Sequence, residues 1–211
     1  MEILEITRKG AYSQVVTLEA VYEIDNGRLK ELHLDVGTDA DPELLSGLHD
    51  ACRLRRARAR ANYLLDERAY SYAMLYRKLM ETYRDKALVT QVLDELVGTG
   101  QIDDTRYAYA CAEYLVERKR WGRFRAKQEM LHRGLPSALV EDALAGLAEA
   151  EAENLPLVLE RKYGRLLTDP DDRKAIDKAI AGMARLGYPF REVRYAIEDW
   201  FASLEEEDED D

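Results

Sequence analysis

Residues 79–93, LMETYRDKALVTQVL, lie over residues 130–144, MLHRGLPSALVEDAL, at an offset of 51. Leu79 meets Met130, Ala87-Leu88-Val89 meets Ala138-Leu139-Val140, and Leu93 meets Leu144. A further offset of 53 brings MARLGYPFREVRYAI, 183–197, onto the same frame. There Met183, Gly187, Pro189, Val193, Ala196 and Ile197 match Met130, Gly134, Pro136, Val140, Ala143 and Leu144. Each frame reads as a helix, a tight turn at Gly, and a second helix with Pro near its start. A longer helix precedes each pair, at 42–67, 103–119 and about 151–163. Units of this size stack, because each buries the apolar face its neighbour leaves open. The expectation is a mainly α protein of three tandem three-helix, helix-turn-helix-like repeats in an elongated curved stack. The repeats span 41–101, 102–150 and 151–204.

The first forty residues have a different period. In VVTLEAVYEI, 15–24, Val15, Thr17, Glu19, Val21 and Glu23 alternate with Val16, Leu18, Ala20, Tyr22 and Ile24. That is period two with β-branched enrichment. Asp25-Asn26-Gly27 reads as a tight turn, and RLKELHLDV, 28–36, alternates again. A small N-terminal β meander over 1–40 is expected. Asp41-Pro42 then opens the helical part as N-cap and first helical residue. From there to about Leu204 the period is helical, in eight or nine helices with short breaks.

The net charge of −11 hides how charge is distributed. The last seven residues are all acidic, and without them 35 acids face 31 bases. Seven like charges in a row repel, so 205–211 are expected to form a disordered tail, for solubility or as a competitor for anionic surfaces. Residues 51–60, ACRLRRARAR, carry five arginines, and 118–127, RKRWGRFRAK, carry six bases. Local field rather than net charge steers polyanions, so both blocks are candidate partner surfaces. On a helical wheel Arg53, Arg56 and Arg60 share one flank of an apolar stripe, and Arg55 and Arg58 take the other. A solvated helix also places arginine stems along such a stripe. It usually interleaves acids, and none occurs between Asp50 and Asp66.

Arg118, Lys119 and Arg120 end a helix, where cations complement the dipole. Arg123, Arg125 and Lys127 begin the next, where cations oppose it. A locally unfavourable placement points to a use elsewhere. Trp121 and Phe124, lying between these bases, read as core aromatics, with stacking on a base or partner as the alternative. The candidate partner-binding residues, for an acidic protein surface or DNA phosphate, are therefore Arg53, Arg56, Arg60, Arg118, Lys119, Arg120, Arg123, Arg125 and Lys127.

Catalytic signatures are missing. His33, His49 and His132 are scattered without Cys or carboxylate at ligand spacing, and phosphate-loop, dinucleotide, nucleophile-elbow and zinc-protease motifs do not occur. Asp103-Asp104 reads as a helix cap with first-turn charge. Two distant cysteines, no apolar run near 18 residues and an acid at position 2 point to a reduced, cytoplasmic chain without signal or membrane span. No enzyme activity, cofactor or metal is expected.

Several stretches resemble the RecX family, regulators of the RecA recombinase. DDTRYAYA (103–110) is similar to the family's Asp-Asp-x-Arg-Phe-Ala. WGRFRAKQEMLHRGL (121–135) is similar to its Gly-x-x-x-Ile-x-x-Glu-Leu-x-x-Lys-Gly-Ile. RKYGRLL (161–167), DPDDRKAI (169–176), RLGYPFREVRYAI (185–197) and SYAMLYRKL (71–79) resemble further segments in family order. Together they span about residues 50–200. Met74 departs from a usual Glu and Ala126 from a usual Ile, and the chain is acidic where many members are basic. The resemblance implies a non-catalytic modulator, monomeric, that binds the RecA–DNA filament and inhibits its ATPase, recombinase and coprotease activities. Single- or double-stranded DNA is a further partner of this reading. Two other classes fit the helical pattern: a direct DNA-binding helix-turn-helix regulator, and a helical-repeat adaptor unrelated to recombination.

Overall fold

The computed structural model describes residues 1–204 in full. Side chains are described to Leu204 and the backbone to Glu209, so the run 205–211, expected to be disordered, instead continues the last helix as far as Glu209, and 210–211 lie outside the described residues. The chain is mainly α with a small three-stranded antiparallel sheet of order β1-β2-β3. The strands are β1 Ile3–Lys9, β2 Tyr12–Thr17 and β3 Val21–Asp25. Among the described residues ten α-helices follow: α1 Asn26–Glu31, α2 Pro42–Glu67, α3 Tyr72–Tyr83, α4 Lys86–Gly98, α5 Asp104–Glu113, α6 Arg123–His132, α7 Ser137–Ala145, α8 Ala148–Tyr163, α9 Arg173–Arg185 and α10 Phe190–Glu209. A π-helical turn, Tyr114–Arg118, extends α5. Two compact units divide the chain, Met1–Ile102 and Asp103–Asp211.

The sheet differs from the expected meander. The alternating run 15–24 is two strands, broken where Thr17 Oγ1 pairs with the backbone of Ala20. The third strand is Val21–Asp25, not 28–36. Asn26-Gly27 does not form a hairpin turn but opens α1. Asn26 is pinned to the first hairpin, donating from Nδ2 to the Gly10 carbonyl at 2.7 Å and accepting from Ser13 Oγ at 2.7 Å. Leu29 and Leu32, three residues apart, then pack on the cluster of Ile3, Val15, Ile24, Leu34, Leu48 and Cys52. A helical turn presents both to that cluster, whereas neighbouring strand positions would face opposite ways. The sheet thus packs on the start of α2.

The repeat frame is visible in the buried positions. Leu75, Leu79, Val89 and Val92 in the first repeat correspond to Ala126, Met130, Val140 and Ala143 in the second, all buried. Ala126, Met130, Leu135 and Val140 correspond in turn to the buried Ala179, Met183, Tyr188 and Val193. Each repeat has its own apolar cluster. The turns differ, however. In the second and third repeats the left-handed residue is Gly, Gly134 (φ 82°) and Gly187 (φ 95°), with four residues between the helices. In the first it is Arg84 (φ 51°), with two. The expected glycine turn is absent there because 79–93 holds no glycine; Arg84 takes the left-handed position and Asp85 caps α4 immediately, accepting from Leu88 N.

Capping follows the sequence closely. Asp41, Ser71, Asp103 and Asp172 accept from backbone amides in the first turns of α2, α3, α5 and α9. Replacing Asp103 by Ala should lower thermal stability by about 1 kcal/mol, the usual worth of such a cap. A loss of regulatory activity with stability unchanged would instead give Asp103 a role in binding.

Candidate partner-binding surfaces

The first basic block is largely tied down within its own unit. Arg53 Nη2 lies 3.0 Å from Asp85. Arg55 pairs with Glu23 at 2.9 Å and stacks over the Tyr12 ring at 3.5 Å. Arg58 bridges Asp25 at 2.7 Å and Glu95 at 2.5 Å. These arginines clamp α2 to β3, to α4 and to the α3–α4 turn. Of the three candidates on this helix, Arg53 is engaged, Arg56 reaches Glu23 only at 3.8 Å and stays exposed, and Arg60 is exposed beside Tyr63.

Arg58 also holds the Glu95 carboxyl below its ordinary range, chiefly through their hydrogen bonds. A depressed carboxylate adds stability above its unfolded pKa, and that stability is lost as pH falls through the lowered folded value. Arg58→Ala should therefore flatten the acid limb of the stability–pH curve below about pH 4.3. Unchanged acid sensitivity in urea titrations at several pH values would contradict this.

The second block sits at the joint between the second and third repeats, inside one compact unit. α6 begins at Gly122, which offers no capping side chain. Its amides are satisfied by the next repeat. Arg123 N donates to Glu151 Oε1 at 2.7 Å, and Phe124 N donates to the Gly187 carbonyl at 3.1 Å. Gly122 N donates to the Leu186 carbonyl at 2.9 Å. Tyr188 Oη donates to the Arg120 carbonyl at 3.0 Å, and Asn154 Nδ2 donates to the Val116 carbonyl at 3.1 Å.

Glu151 is 4% exposed, and Arg123 Nε completes its shell at 2.8 Å. Burial nevertheless pushes its carboxyl above the ordinary range, the Arg123 bonds opposing that shift. Burial likewise pushes Tyr188 up to about 12. Arg123 also pairs with Glu192. The cations at the start of α6 thus face an anion lodged at that helix end, which offsets their opposition to the dipole.

This geometry sorts the second block. Arg123 is a joint residue, and Lys127 pairs with Glu141 on α7 at 2.7 Å. Arg118 and Lys119 are exposed, the latter 5.5 Å from the Tyr114 ring. Arg120 takes a left-handed conformation (φ 52°) that turns the chain into α6. Arg125 lies flat on Trp121 at 3.8 Å. Trp121 packs at the edge of the second core, but Phe124 is 56% exposed and is not core. It falls on the outer face of α6, opposite Ala126 and Met130. Sequence reasoning missed Glu151, one acid in a run of three. The legible signal was the missing cap at Gly122, which required an acceptor from elsewhere. Among the described residues no group of His, Cys, Asp or Glu could hold a metal ion. No described helix is long and apolar enough to cross a membrane.

Known proteins share both sequence and fold with this chain. Residues 103–144 match the sequence profile of the second three-helix domain of RecX. The regulatory protein RecX of Halorhodospira halophila is 30% identical over 151 residues, 69% of this chain and 86% of its own. That of Mycolicibacterium vanbaalenii is 33% identical over 147 residues, 64% of this chain and 77% of its own. A crystal structure of regulatory protein RecX has the same fold, with a TM-score of 0.77 over 94% of this chain and 98% of that one at 20% identity. RecX from Lactobacillus salivarius has a TM-score of 0.64 at 16% identity, over 71% of this chain and 97% of its own. With relatives of this identity covered over more than two thirds of their length, the chain belongs to the RecX family of regulatory proteins.

Proposed function

We propose that the protein is a cytoplasmic, monomeric, non-catalytic modulator of RecA. It binds the RecA–DNA filament and lowers its ATPase, recombinase and coprotease activities. Membership in a family of regulatory proteins carries this reading, and the surface chemistry supports it. Arg60 on α2, and Arg118, Lys119, Arg120 and Arg125 around the joint, have no carboxylate partner among the described residues, and Arg56 on α2 has only Glu23 at 3.8 Å. Such arginines can meet acidic protein surface or exposed phosphate with fork geometry that lysine lacks. Arg53, Arg123 and Lys127 contribute to the same surfaces while holding internal pairs.

Co-sedimentation tests the binding step. RecA is assembled on single-stranded DNA with a slowly hydrolysed ATP analogue, and the full chain is added. It should pellet with the filament at concentrations where it does not pellet with naked DNA. Pelleting with naked DNA to the same extent favours the direct DNA-binding regulator. No pelleting with either leaves the helical-repeat adaptor.

A further inference from the structure

The joint leaves two phenylalanines in the open. The chain has three, and two of them are more than half exposed: Phe124 at 56% and Phe190 at 58%. Each stands in the first turn of its helix, α6 and α10. The Phe124 amide is bonded to Gly187, three residues before Phe190, so the joint holds the two helix starts against one another. Beside each phenylalanine comes an arginine with no carboxylate partner among the described residues. Arg125 is stacked on Trp121 at 3.8 Å. Arg191 donates from Nε to Tyr195 Oη at 3.1 Å and lies 5.5 Å from that ring. The ring contact of Arg125 and the hydrogen bond of Arg191 limit the freedom of both guanidinium groups and leave their charge unneutralised. The nearby acid Glu192 is taken up by Arg123.

We propose that the starts of α6 and α10 form one docking patch, Phe124 and Phe190 with Arg125 and Arg191, for an acidic surface with apolar side chains on a protein partner. Large aromatics and arginine carry most of the energy of protein interfaces, and an arginine already held in place loses little rotamer freedom on binding. The patch is cationic and uncompensated, so complementarity selects an acidic partner. The joint gives the patch its shape. Neither helix start alone presents both phenylalanines, and the backbone bonds from Gly122 and Phe124 to Leu186 and Gly187 bring the two starts together. The proposal rests on the RecA reading for the identity of that partner.

The test uses the full chain and RecA filaments on single-stranded DNA, reading ATP hydrolysis, with affinity for a fluorescent oligo-dT read in parallel. Phe124→Ala with Phe190→Ala removes the aromatics. Arg125→Glu with Arg191→Glu reverses the charge, and circular dichroism checks that both variants fold. Each should raise the concentration for half-inhibition at least tenfold, and the Phe variant should keep an oligo-dT affinity within twofold of wild type. Half-inhibition unchanged in the Phe variant overturns the patch and spares the RecA reading. A wild-type chain without effect on RecA overturns both. A parallel loss of oligo-dT affinity in the Phe variant assigns the patch to nucleic acid and overturns the protein-docking proposal.

Discussion

Gly187→Ala lowers stability by about 4 kcal/mol. Gly187 has a φ of 95°, and an added Cβ would lie 2.4 Å from Arg125 N, 2.6 Å from Arg125 Cβ and 2.7 Å from the Gly122 carbonyl oxygen. A left-handed alanine costs roughly 1–2 kcal/mol, and overpacking against rigid backbone about 1–3 kcal/mol more. For a chain of this size the melting temperature should fall by roughly 10 °C. Gly122→Ala meets the same wall from the other side, 2.3 Å from the Gly187 carbonyl carbon. Gly146→Ala is the control. It has ordinary helical backbone with nothing within 4 Å of the new carbon, and should change stability by less than about 1 kcal/mol. A Gly187→Ala melting point within 2 °C of wild type, by circular dichroism, would mean that the joint is not closed as described.

Removing the unpaired cations separates regulation from stability. Arg118→Ala with Lys119→Ala and Arg125→Ala should weaken inhibition of RecA tenfold or more, about 1.4 kcal/mol of binding, with little change in melting temperature. Arg123→Ala should do the reverse. It removes the guanidinium from the buried Glu151 carboxylate, leaving it only the backbone amide at 123, and costs about 1–3 kcal/mol of stability. It affects inhibition only so far as the joint loosens. Lys127→Ala breaks an exposed pair with Glu141 and should cost under about 1 kcal/mol. Measured together, the three variants show whether cations without an internal carboxylate are the functional ones. Equal loss of inhibition across all three would mean that ion pairing within the fold does not predict use.

Much of this was legible in the sequence, for reasons that differ by element. The repeat frame could be read because its buried positions, such as Leu79, Met130 and Met183, recur at fixed offsets, and burial fixes residue type. The caps at Asp41, Ser71 and Asp103 could be read because an N-terminal acceptor acts on its own helix within three residues. The third strand could not. Period-two alternation in 28–36 competes with a helical turn whose advantage is long-range, the packing of Leu29 and Leu32 on Ile3, Val15 and Leu48. The basic blocks were visible as composition, but not how they divide. Asp85 and Glu23, which engage Arg53 and Arg55, lie 32 residues from their partners, and Glu151 lies 28 from Arg123. No local period reveals such pairs.

The measurement that bears most directly on the central claim is ATP hydrolysis by purified RecA on single-stranded DNA, titrated with the purified full chain. Saturable inhibition is expected at concentrations below those of RecA itself. Inhibition should persist when the DNA is already coated with RecA, because the filament and not free DNA is the target. An unchanged hydrolysis rate with excess chain, or a loss that excess single-stranded DNA fully reverses, would contradict it.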